Sequence, residues 1–451
     1  MVNNKVKTKT WQERDKENVM HAMTPYAKTP LIVKMAKGCF LEDSDGNKYL
    51  DAMSGLWCVN VGYGREELAE AAYQQLKEMP YYPLTQSHYP AIQLAEKINE
   101  WLDDEYVFFF SSSGSEANET AFKIARQYHN QNDEPGKYKI VSRYRAYHGG
   151  TMGALSATGQ AERKYRYEPL AAGFLHTVPP DCYRCPLKKE PGSCQTACAD
   201  MIDQTITWEL NRTVAAVIME PIITGGGILV PPEGYLKKVR EICDKHGVLL
   251  IVDEVISGFG RTGEMFGFMH EGIKPDIITM AKGLTSGYLP LSVTAVRKDR
   301  YEMFQEACEY DHFRSVTTFG GNPAACALAL KNIDIIKDEG YISNAAVRGQ
   351  QLYEEVKELL SHPNVGDIRS KGLLLGIELV EDSLTRKPIE EEKVNSIISA
   401  CKLKGVIIGK NGDTVAGFNN ILTVAPPLSI DEGTIYFLSG VLKTSIREVL
   451  T

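Results

Sequence analysis

Lys282 stands directly after an apolar run and before a glycine, in Asp276-Ile-Ile-Thr-Met-Ala-Lys282-Gly283. An amine that is taken out of water loses its proton more readily, which makes it a nucleophile able to form a Schiff base. A lysine at a strand exit can equally lay its stem along the core and keep its ammonium group in solvent. Taken alone, Lys282 leaves both interpretations open.

A carboxylate ends another apolar run, Ile251-Val252-Asp253. We expect this strand to neighbour the one before Lys282, because ligands bind at the carboxyl ends of strands in open α/β sheets. There Asp253 could keep the pyridine nitrogen of pyridoxal 5′-phosphate (PLP) protonated, so that the ring accepts electrons from a substrate carbanion. The alternative role for Asp253 is a helix cap or a salt-bridged strand end.

Small residues begin a predicted amphipathic helix that extends to about His129, at Ser113-Gly114-Ser115. Free N–H groups and the positive end of the helix dipole favour a phosphate there, and Gly114 and Ser115 are the candidate ligands. Plain capping of the helix by serine is the alternative.

Tyr147 precedes His148-Gly149-Gly150, and its ring could stack on one face of a pyridine ring, with Val255 on the other. An aromatic residue beside glycines is also common in ordinary loops. This signal therefore only supports the others.

The middle of the chain alternates short apolar runs with amphipathic stretches, which indicates an α/β fold with a mostly parallel sheet covered on both faces. Predicted strands are Val214–Glu220, Val248–Val255, Asp276–Lys282 and Leu291–Arg297, and Gly234–His246 is a predicted helix.

Long helical patterns follow Asn322-Pro323 and predict a second, smaller α+β domain built from both chain ends. The expected division is residues 1–60, packed with the C-terminal part, 61–325 as the PLP-binding domain, and 326–451 as the small domain. Its predicted elements are short strands at Cys39–Glu42 and Lys48–Asp51, helices at Ala324–Lys337, Asn344–Leu360 and Glu391–Lys404, a strand at Leu373–Leu379, and a last helix after Asp431.

Composition limits the class of protein. The 451 residues are 43% hydrophobic and 24% charged, as in ordinary globular proteins, and the formal net charge of -8 gives no electrostatic case for nucleic acid. The sequence lacks a secretory signal pattern and an apolar run of membrane-spanning length, so we expect a cytoplasmic protein without a membrane partner.

Four of the ten cysteines cluster as Cys182-x-x-Cys185 and Cys194-x3-Cys198. Zinc could use such spacings, but tetrathiolate sites usually pair two tight knuckles and the second spacing is loose. Free thiols in an inserted loop or an opportunistic disulfide are the alternatives, and we predict no metal.

Several motifs in order along nearly the whole chain resemble those of the class III (ω-) aminotransferases, a branch of the fold-type I PLP enzymes. The motifs that carry the resemblance are Leu56-Trp57 with Gly62-Tyr63-Gly64, Ser113-Gly114-Ser115-Glu116-Ala117-Asn118, Tyr147-His148-Gly149, Glu220-Pro221, Asp253-Glu254-Val255, Gly258-Phe259-Gly260-Arg261-Thr262-Gly263, Lys282-Gly283, Thr317-Thr318 through Asn322-Pro323, and Ala425-Pro426-Pro427.

The resemblance implies a role for each site residue. Lys282 would hold PLP as a Schiff base and move protons, and Asp253 would pair with the ring nitrogen. The residues that would bind the cofactor are Ser113, Gly114, Ser115, Tyr147, Val255, Thr318 and Glu220, the last through Asn118 or directly. Trp57, and Tyr26 near it, would line the substrate pocket. Thr318 would reach the phosphate of a neighbouring subunit, which implies a homodimer with shared active sites, or a tetramer.

One departure concerns the substrate. Many relatives carry an arginine shortly before the Pro-Pro pair that binds a substrate carboxylate, but Ile408–Ile421 contains none. The stretch looks most like a pyruvate-dependent, taurine–pyruvate-like branch. We therefore expect a primary ω-amine to give its nitrogen to a keto acid, pyruvate, by way of pyridoxamine phosphate, with Lys410 or Arg163 meeting the acceptor carboxylate.

Two other functions stay open at this point. Diaminopelargonate synthase, which uses S-adenosylmethionine as donor, belongs to the same family, but its relatives tend to have Ser-Val-Ala-Val where this chain has Ser115-Glu116-Ala117-Asn118. A binding scaffold that reuses the fold without catalysis is the alternative from another class. The intact pair of Lys282 and Asp253 argues against it.

Overall fold

A computed structural model describes residues 9–23, 30–305, 308–412 and 414–450. The strands in these ranges are β1 (Val33–Lys37), β2 (Phe40–Asp43), β3 (Lys48–Asp51), β4 (Tyr106–Ser111), β5 (Lys139–Arg143), β6 (Phe174–Thr177), β7 (Val214–Met219), β8 (Leu249–Asp253), β9 (Ile277–Met280), β10 (Ser292–Arg297), β11 (Val365–Ser370), β12 (Leu375–Asp382), β13 (Lys387–Pro388), β14 (Val406–Ile407), β15 (Gly409–Lys410) and β16 (Ile421–Val424).

The helices in the same ranges are α1 (Trp11–Asn18), α2 (Ser54–Trp57), α3 (Glu66–Glu78), α4 (Tyr89–Asn99), α5 (Gly114–Gln131), α6 (Met152–Ala157), α7 (Ala161–Lys164), α8 (Ala197–Trp208), α9 (Tyr235–His246), α10 (Lys298–Tyr301), α11 (Pro323–Asp338), α12 (Tyr341–Val356), α13 (Glu391–Leu403) and α14 (Glu432–Val449). Among them, none is both long and apolar enough to cross a lipid bilayer.

The largest sheet has seven strands in the order β4-β10-β9-β8-β7-β5-β6. Strand β10 runs antiparallel to both of its neighbours, and the other pairs are parallel. Every residue of β7, β8 and β9 is buried, because helices cover both faces of the sheet. The predicted α/β fold with a mixed, mostly parallel sheet is confirmed.

The four predicted strands of this sheet are all present, but three of them end earlier than predicted. Strand β7 ends one residue before Glu220, and β9 ends two residues before Lys282. Lys282 lies in a short 3₁₀ turn, Lys282–Leu284, so its placement in a strand was wrong. Glu220 and Lys282 therefore lie beyond the hydrogen-bonded part of their strands, at the edge of the sheet where open α/β sheets bind ligands.

Two smaller sheets bring together the chain ends. One has the order β1-β2-β3-β14, in which β14 pairs in parallel with β3 and Val406 lies opposite Leu50. The other has the order β11-β12-β16-β15, with β13 paired to β12. Backbone hydrogen bonds thus join the N-terminal segment to the C-terminal part, while the exact domain boundaries stay a prediction.

The guanidinium group of Arg261 lies fully buried between these parts. It donates to the Asn60 side-chain oxygen at 2.8 Å, the Ser54 hydroxyl at 3.3 Å and the Pro426 carbonyl at 2.5 Å. Burial lowers the pKa of Arg261 to about 10. A buried charge needs such partners, and here they come from both ends of the chain.

Candidate active site

Six of the seven strands of the large sheet, all except β10, end at the same edge. Because β10 is antiparallel to both β4 and β9, strand β4 runs in the same direction as β9 and the parallel strands beside it. The residues that follow these strand ends contain most of the predicted site, namely Ser113 to Ser115 after β4, Tyr147 after β5, Glu220 after β7, Asp253 at the end of β8 and Lys282 after β9. The fold therefore brings them to one place, as ligand sites of open α/β sheets require.

Asp253 is held in one orientation by three donors. Its Oδ2 accepts from Asn118 Nδ2 at 2.8 Å and, with Nδ1 protonated, from His148 at 2.9 Å. Its Oδ1 accepts from the backbone N–H of Val255 at 3.0 Å. The side chain is almost fully buried, so these bonds compensate the loss of water around a carboxylate.

His148 is a site residue to which sequence reasoning assigned no role. Its ring is buried, Nδ1 faces Asp253, and Nε2 has no hydrogen-bond partner in the described part of the chain. The signal was available, since His148 directly follows Tyr147 in the recognised motif. A histidine that donates from Nδ1 to Asp253 keeps the carboxylate aimed at the ring nitrogen it is predicted to pair with.

Glu220 lies beside Tyr147 rather than beside Asn118. Its Oε1 accepts from the Tyr147 N–H at 3.1 Å, and its Oε2 accepts from the Thr224 hydroxyl at 2.8 Å. Burial raises the pKa of this carboxyl group. Asn118 donates to Asp253 and to the carbonyl of His148, and it forms no hydrogen bond with Glu220 in the described residues, which favours the direct role for Glu220 over the role through Asn118.

Lys282 adopts a left-handed backbone conformation, with φ +47°. Burial lowers the pKa of its amine, and the positive charge of Arg163 acts in the same direction, while Cys58, Asp253 and Glu220 oppose the shift. A lowered pKa leaves more of the unprotonated, nucleophilic amine at neutral pH.

The start of α5 is shaped to receive an anion. Ser113 caps the helix, since its hydroxyl accepts from the Glu116 N–H at 3.2 Å. A Cβ at Gly114 would lie 3.0 Å from both methyl groups of Val255, so only glycine fits comfortably. The N–H groups of Gly114 and Ser115 have no hydrogen-bond partner in the described ranges. They lie at the positive end of the helix dipole.

The Tyr147 loop is bonded to the same helix start. The Ser115 hydroxyl accepts from the Gly150 N–H at 3.0 Å. The guanidinium carbon of Arg163 lies 5.1 Å from the centre of the Tyr147 ring. The Tyr147 ring therefore has a cation against one of its faces.

Two further predicted residues, Thr318 and Trp57, do not follow these strand ends. Thr318 has an exposed side chain, and its carbonyl accepts from the Tyr81 hydroxyl at 2.9 Å. Trp57 is buried in a small apolar cluster that includes Ile222 and Ala425. Tyr26 lies outside the described residues.

Cys182, Cys185, Cys194 and Cys198 line one small cavity beside Pro179 and Pro232. All four are free thiols, and burial raises the pKa of Cys182 and of Cys198 to about 11. Within the described ranges, no three His, Cys, Asp or Glu side chains are grouped so that they could hold a metal ion.

This set of residues fits PLP. Two unpartnered N–H groups at a helix start suit its phosphate, a fixed and buried carboxylate suits its ring nitrogen, and a lysine of lowered pKa suits its aldehyde. A Cβ at Gly114 would also lie 3.7 Å from the Cβ of Ala281, so the helix start packs beside both Val255 and the residue that precedes Lys282.

Comparisons with known proteins agree with this site. The family model for class-III aminotransferases matches residues 22–444. The uncharacterized aminotransferase YhxA of Bacillus subtilis is 62% identical over 440 residues, 97% of each chain. A taurine–pyruvate aminotransferase of Bilophila wadsworthia is 43% identical over 429 residues, 93% of each chain.

Solved structures give the same result. A Bacillus anthracis aminotransferase superposes with a TM-score of 0.95 at 59% identity, over 97% of this chain and 98% of that one. An amine transaminase from an uncultivated Pseudomonas species, solved in its PLP-bound form, has a TM-score of 0.91 at 33% identity, over 96% of this chain and 99% of that one. With family, fold and site in agreement, the chain belongs to the class-III aminotransferases, enzymes of PLP fold type I that use PLP as cofactor.

Proposed function

We propose that this aminotransferase takes the amino group from a primary ω-amine and gives it to pyruvate. The observation that carries the proposal is the guanidinium group of Arg163, which lies beside the Tyr147 ring and has no carboxylate partner among the described residues. A keto acid with one carboxylate needs one such cation.

The cation comes from Arg163 rather than from Lys410. Nζ of Lys410 forms an ion pair with Glu391, so its charge is already neutralised. Arg163 forms no ion pair with any carboxylate in the described part of the chain, and its Nε donates to Gln160 at 2.6 Å. A free guanidinium group binds a carboxylate by charge-assisted hydrogen bonds.

Arg163 also reaches the loop in which many relatives carry the arginine that binds a substrate carboxylate. Its Nη2 lies 3.5 Å from the carbonyl oxygen of Gly412, within the stretch Ile408–Ile421 that contains no arginine. The cation therefore reaches that loop from α7 instead of coming from the loop itself. The name of the Bilophila wadsworthia relative, a taurine–pyruvate aminotransferase, supports pyruvate as the acceptor.

Each site residue has a distinct task in this proposal. When bound, PLP supplies an electron sink for the bond that breaks at the amine carbon. Lys282 Nζ moves a proton between the substrate carbon that gives up the nitrogen and the cofactor carbon that receives it. Its lowered pKa lets it act first as base and then as acid. Asp253 holds the proton on the ring nitrogen, and Tyr147 and Val255 cover the two faces of the ring.

The proposed phosphate site uses the start of α5, with Ser113, Gly114 and Ser115, and Thr318 of a second copy of the chain. In the single chain the side chain of Thr318 is exposed. Apolar side chains surround it, since Val316 and Phe319 are largely exposed and Tyr81 packs 5.9 Å from the Phe319 ring. A homodimer that covers this surface would place Thr318 in the partner's site.

A panel of donors and acceptors tests the reaction. Enzyme loaded with PLP should convert to the pyridoxamine form with taurine, β-alanine or a simple ω-amine, and pyruvate should reverse the conversion faster than 2-oxoglutarate does. Absorbance of the cofactor follows both half-reactions. Reaction with S-adenosylmethionine but not with ω-amines, or a strong preference for 2-oxoglutarate, would contradict the proposal.

Replacing Arg163 by Met should weaken pyruvate binding, because the carboxylate loses charge-assisted bonds of about 1.5–3 kcal/mol. The KM for pyruvate should rise by about 10–100-fold, while the half-reaction with an uncharged amine changes little. Lys410→Met is the matched control and should leave the KM for pyruvate nearly unchanged, since its partner is Glu391. The opposite pattern would assign the carboxylate to Lys410.

Asp253→Asn should fold but lose turnover by orders of magnitude, because the neutral amide no longer holds the ring nitrogen protonated in the transition state. The measurement is the rate of a single half-reaction. Lys282→Ala is the reference for complete loss, and borohydride should fix PLP to wild type and not to this variant. Glu254→Gln controls for the loss of a buried carboxylate at the same strand end, since its bonds go to Ser257 and the backbone. A near-normal rate for Asp253→Asn would return Asp253 to a structural role.

Thr318→Ala should raise the dissociation constant for PLP by about tenfold, because one hydrogen bond to a charged phosphate is lost across the dimer. Thr385→Ala, which removes another exposed threonine hydroxyl, should have no such effect. Ultracentrifugation gives the oligomeric state and fluorescence quenching gives PLP binding. A fully active monomer would rule out the shared site.

A further inference from the structure

The turn that carries Trp57 has an unusual backbone. Within α2, Ser54, Gly55 and Trp57 have φ values of +50°, +66° and +64°. Residues that carry a side chain seldom adopt positive φ values, and a bulky tryptophan there is strained. Such a conformation persists only where the surroundings hold it in place.

Asp51 supplies the restraint. Its carboxylate accepts from the Met53 N–H at 3.0 Å, the Gly55 N–H at 2.5 Å and the Tyr63 hydroxyl at 2.6 Å. Asp51 is only 1% exposed, so its charge depends on these donors. Burial and the nearby carboxylate raise the pKa of Tyr63, which keeps this hydroxyl a donor at neutral pH.

The residues after Trp57 pack directly on the turn that carries Lys282. A Cβ at Gly283 would lie 2.5 Å from Asn60 Nδ2, and a Cβ at Gly287 would lie 3.2 Å from Cys58 Cβ. The Val61 N–H donates to the Ser286 hydroxyl at 3.2 Å. The conformation of the turn therefore fixes where the indole of Trp57 stands relative to Lys282.

We propose that Asp51 is a positioning residue that sets the size of the amine admitted to the pocket. It acts through Trp57, because its bonds to the backbone hold the strained turn and thereby the indole that forms the pocket wall. This inference rests on the proposed role of Trp57 in lining the substrate pocket. Loosening the turn should let the indole move aside and admit bulkier donors.

The chain offers a matched control at the end of β2, in the turn that precedes β3. The Asp43 carboxylate accepts from the Asp45 N–H at 2.9 Å, the Asn47 N–H at 2.9 Å and the Tyr49 hydroxyl at 3.1 Å. Its backbone donors lie two and four residues ahead, as they do for Asp51, and a tyrosine completes each set. Only the Asp51 turn leads to the active site.

The experiment compares kcat/KM for a bulky amine, 1-phenylethylamine, with that for ethylamine, using pyruvate as acceptor. Asp51→Asn replaces an accepting oxygen with an NH₂ group that cannot accept from Gly55, and the bulky-to-small ratio should rise by about tenfold. Asp43→Asn should leave the ratio unchanged. In cofactor-free protein, near-ultraviolet circular dichroism should change for Asp51→Asn but not for Asp43→Asn, because only one turn holds a tryptophan.

A double-mutant cycle shows whether the effect passes through Trp57. Trp57→Gly alone should change the ratio, and adding Asp51→Asn to it should change nothing further. An unchanged ratio for Trp57→Gly would refute the pocket-wall role, and with it this part of the proposed function. A changed ratio for Trp57→Gly with none for Asp51→Asn would overturn the role of Asp51 alone, as would an equal shift in Asp43→Asn. If Asp51→Asn does not fold, Tyr63→Phe removes one donor and should shift the ratio in the same direction, and an unchanged ratio there would overturn the inference.

Discussion

The register of one parallel strand pair decides where the chemistry can occur. Asp253, the last residue of β8, pairs with Thr279 of β9, and Thr279 lies three residues before Lys282. The Thr279 hydroxyl donates to the side-chain oxygen of Asn118 at 2.8 Å, and the amide of Asn118 donates to Asp253. A slip of one residue would point each side chain to the other face of the sheet and break this closed set of bonds. Helix α5, which provides Asn118, also begins at the anion site, so the same register relates that site to Lys282.

Charges at this edge of the sheet are arranged in layers. Two buried carboxylates, Asp253 and Glu220, lie deepest and are held by neutral donors, while Arg163 lies farther out with no carboxylate of its own in the described ranges. Lys282 lies between them, so both sets act on its pKa in opposite directions. In the proposed function, the inner carboxylates serve the cofactor and the outer cation serves the substrate, which is exchanged in each turnover.

Sequence reasoning found the parts of the fold that have a uniform environment. Strands β7 and β8 are continuous apolar runs because both faces are covered, and such runs can be recognised without a structure. Strand β6, Phe174–Thr177, has only four residues at the sheet edge, and its polar His176 hides the pattern. The end of β9 was misplaced, since Ala281 is as compatible with a strand as the residues before it.

The site was predictable as a set of residue types but not as a set of bonds. Lys282 and Asp253 follow from their position after apolar runs. The bond from Asn118 to Asp253 joins residues 135 apart, and no local spacing announces it. For the same reason, Arg163 and Lys410 could not be ranked until the ion pair of Lys410 with Glu391 was visible.

The left-handed backbone at Lys282 sets the stability of the folded chain against its proposed activity. A lysine at φ +47° costs the folded chain about 1 kcal/mol relative to glycine, which adopts this region freely. Selection for thermal stability alone would therefore favour replacing the lysine that we propose holds PLP. Engineering that raises the thermal stability of this protein has to keep Lys282 unchanged and place its stabilising substitutions at other positions.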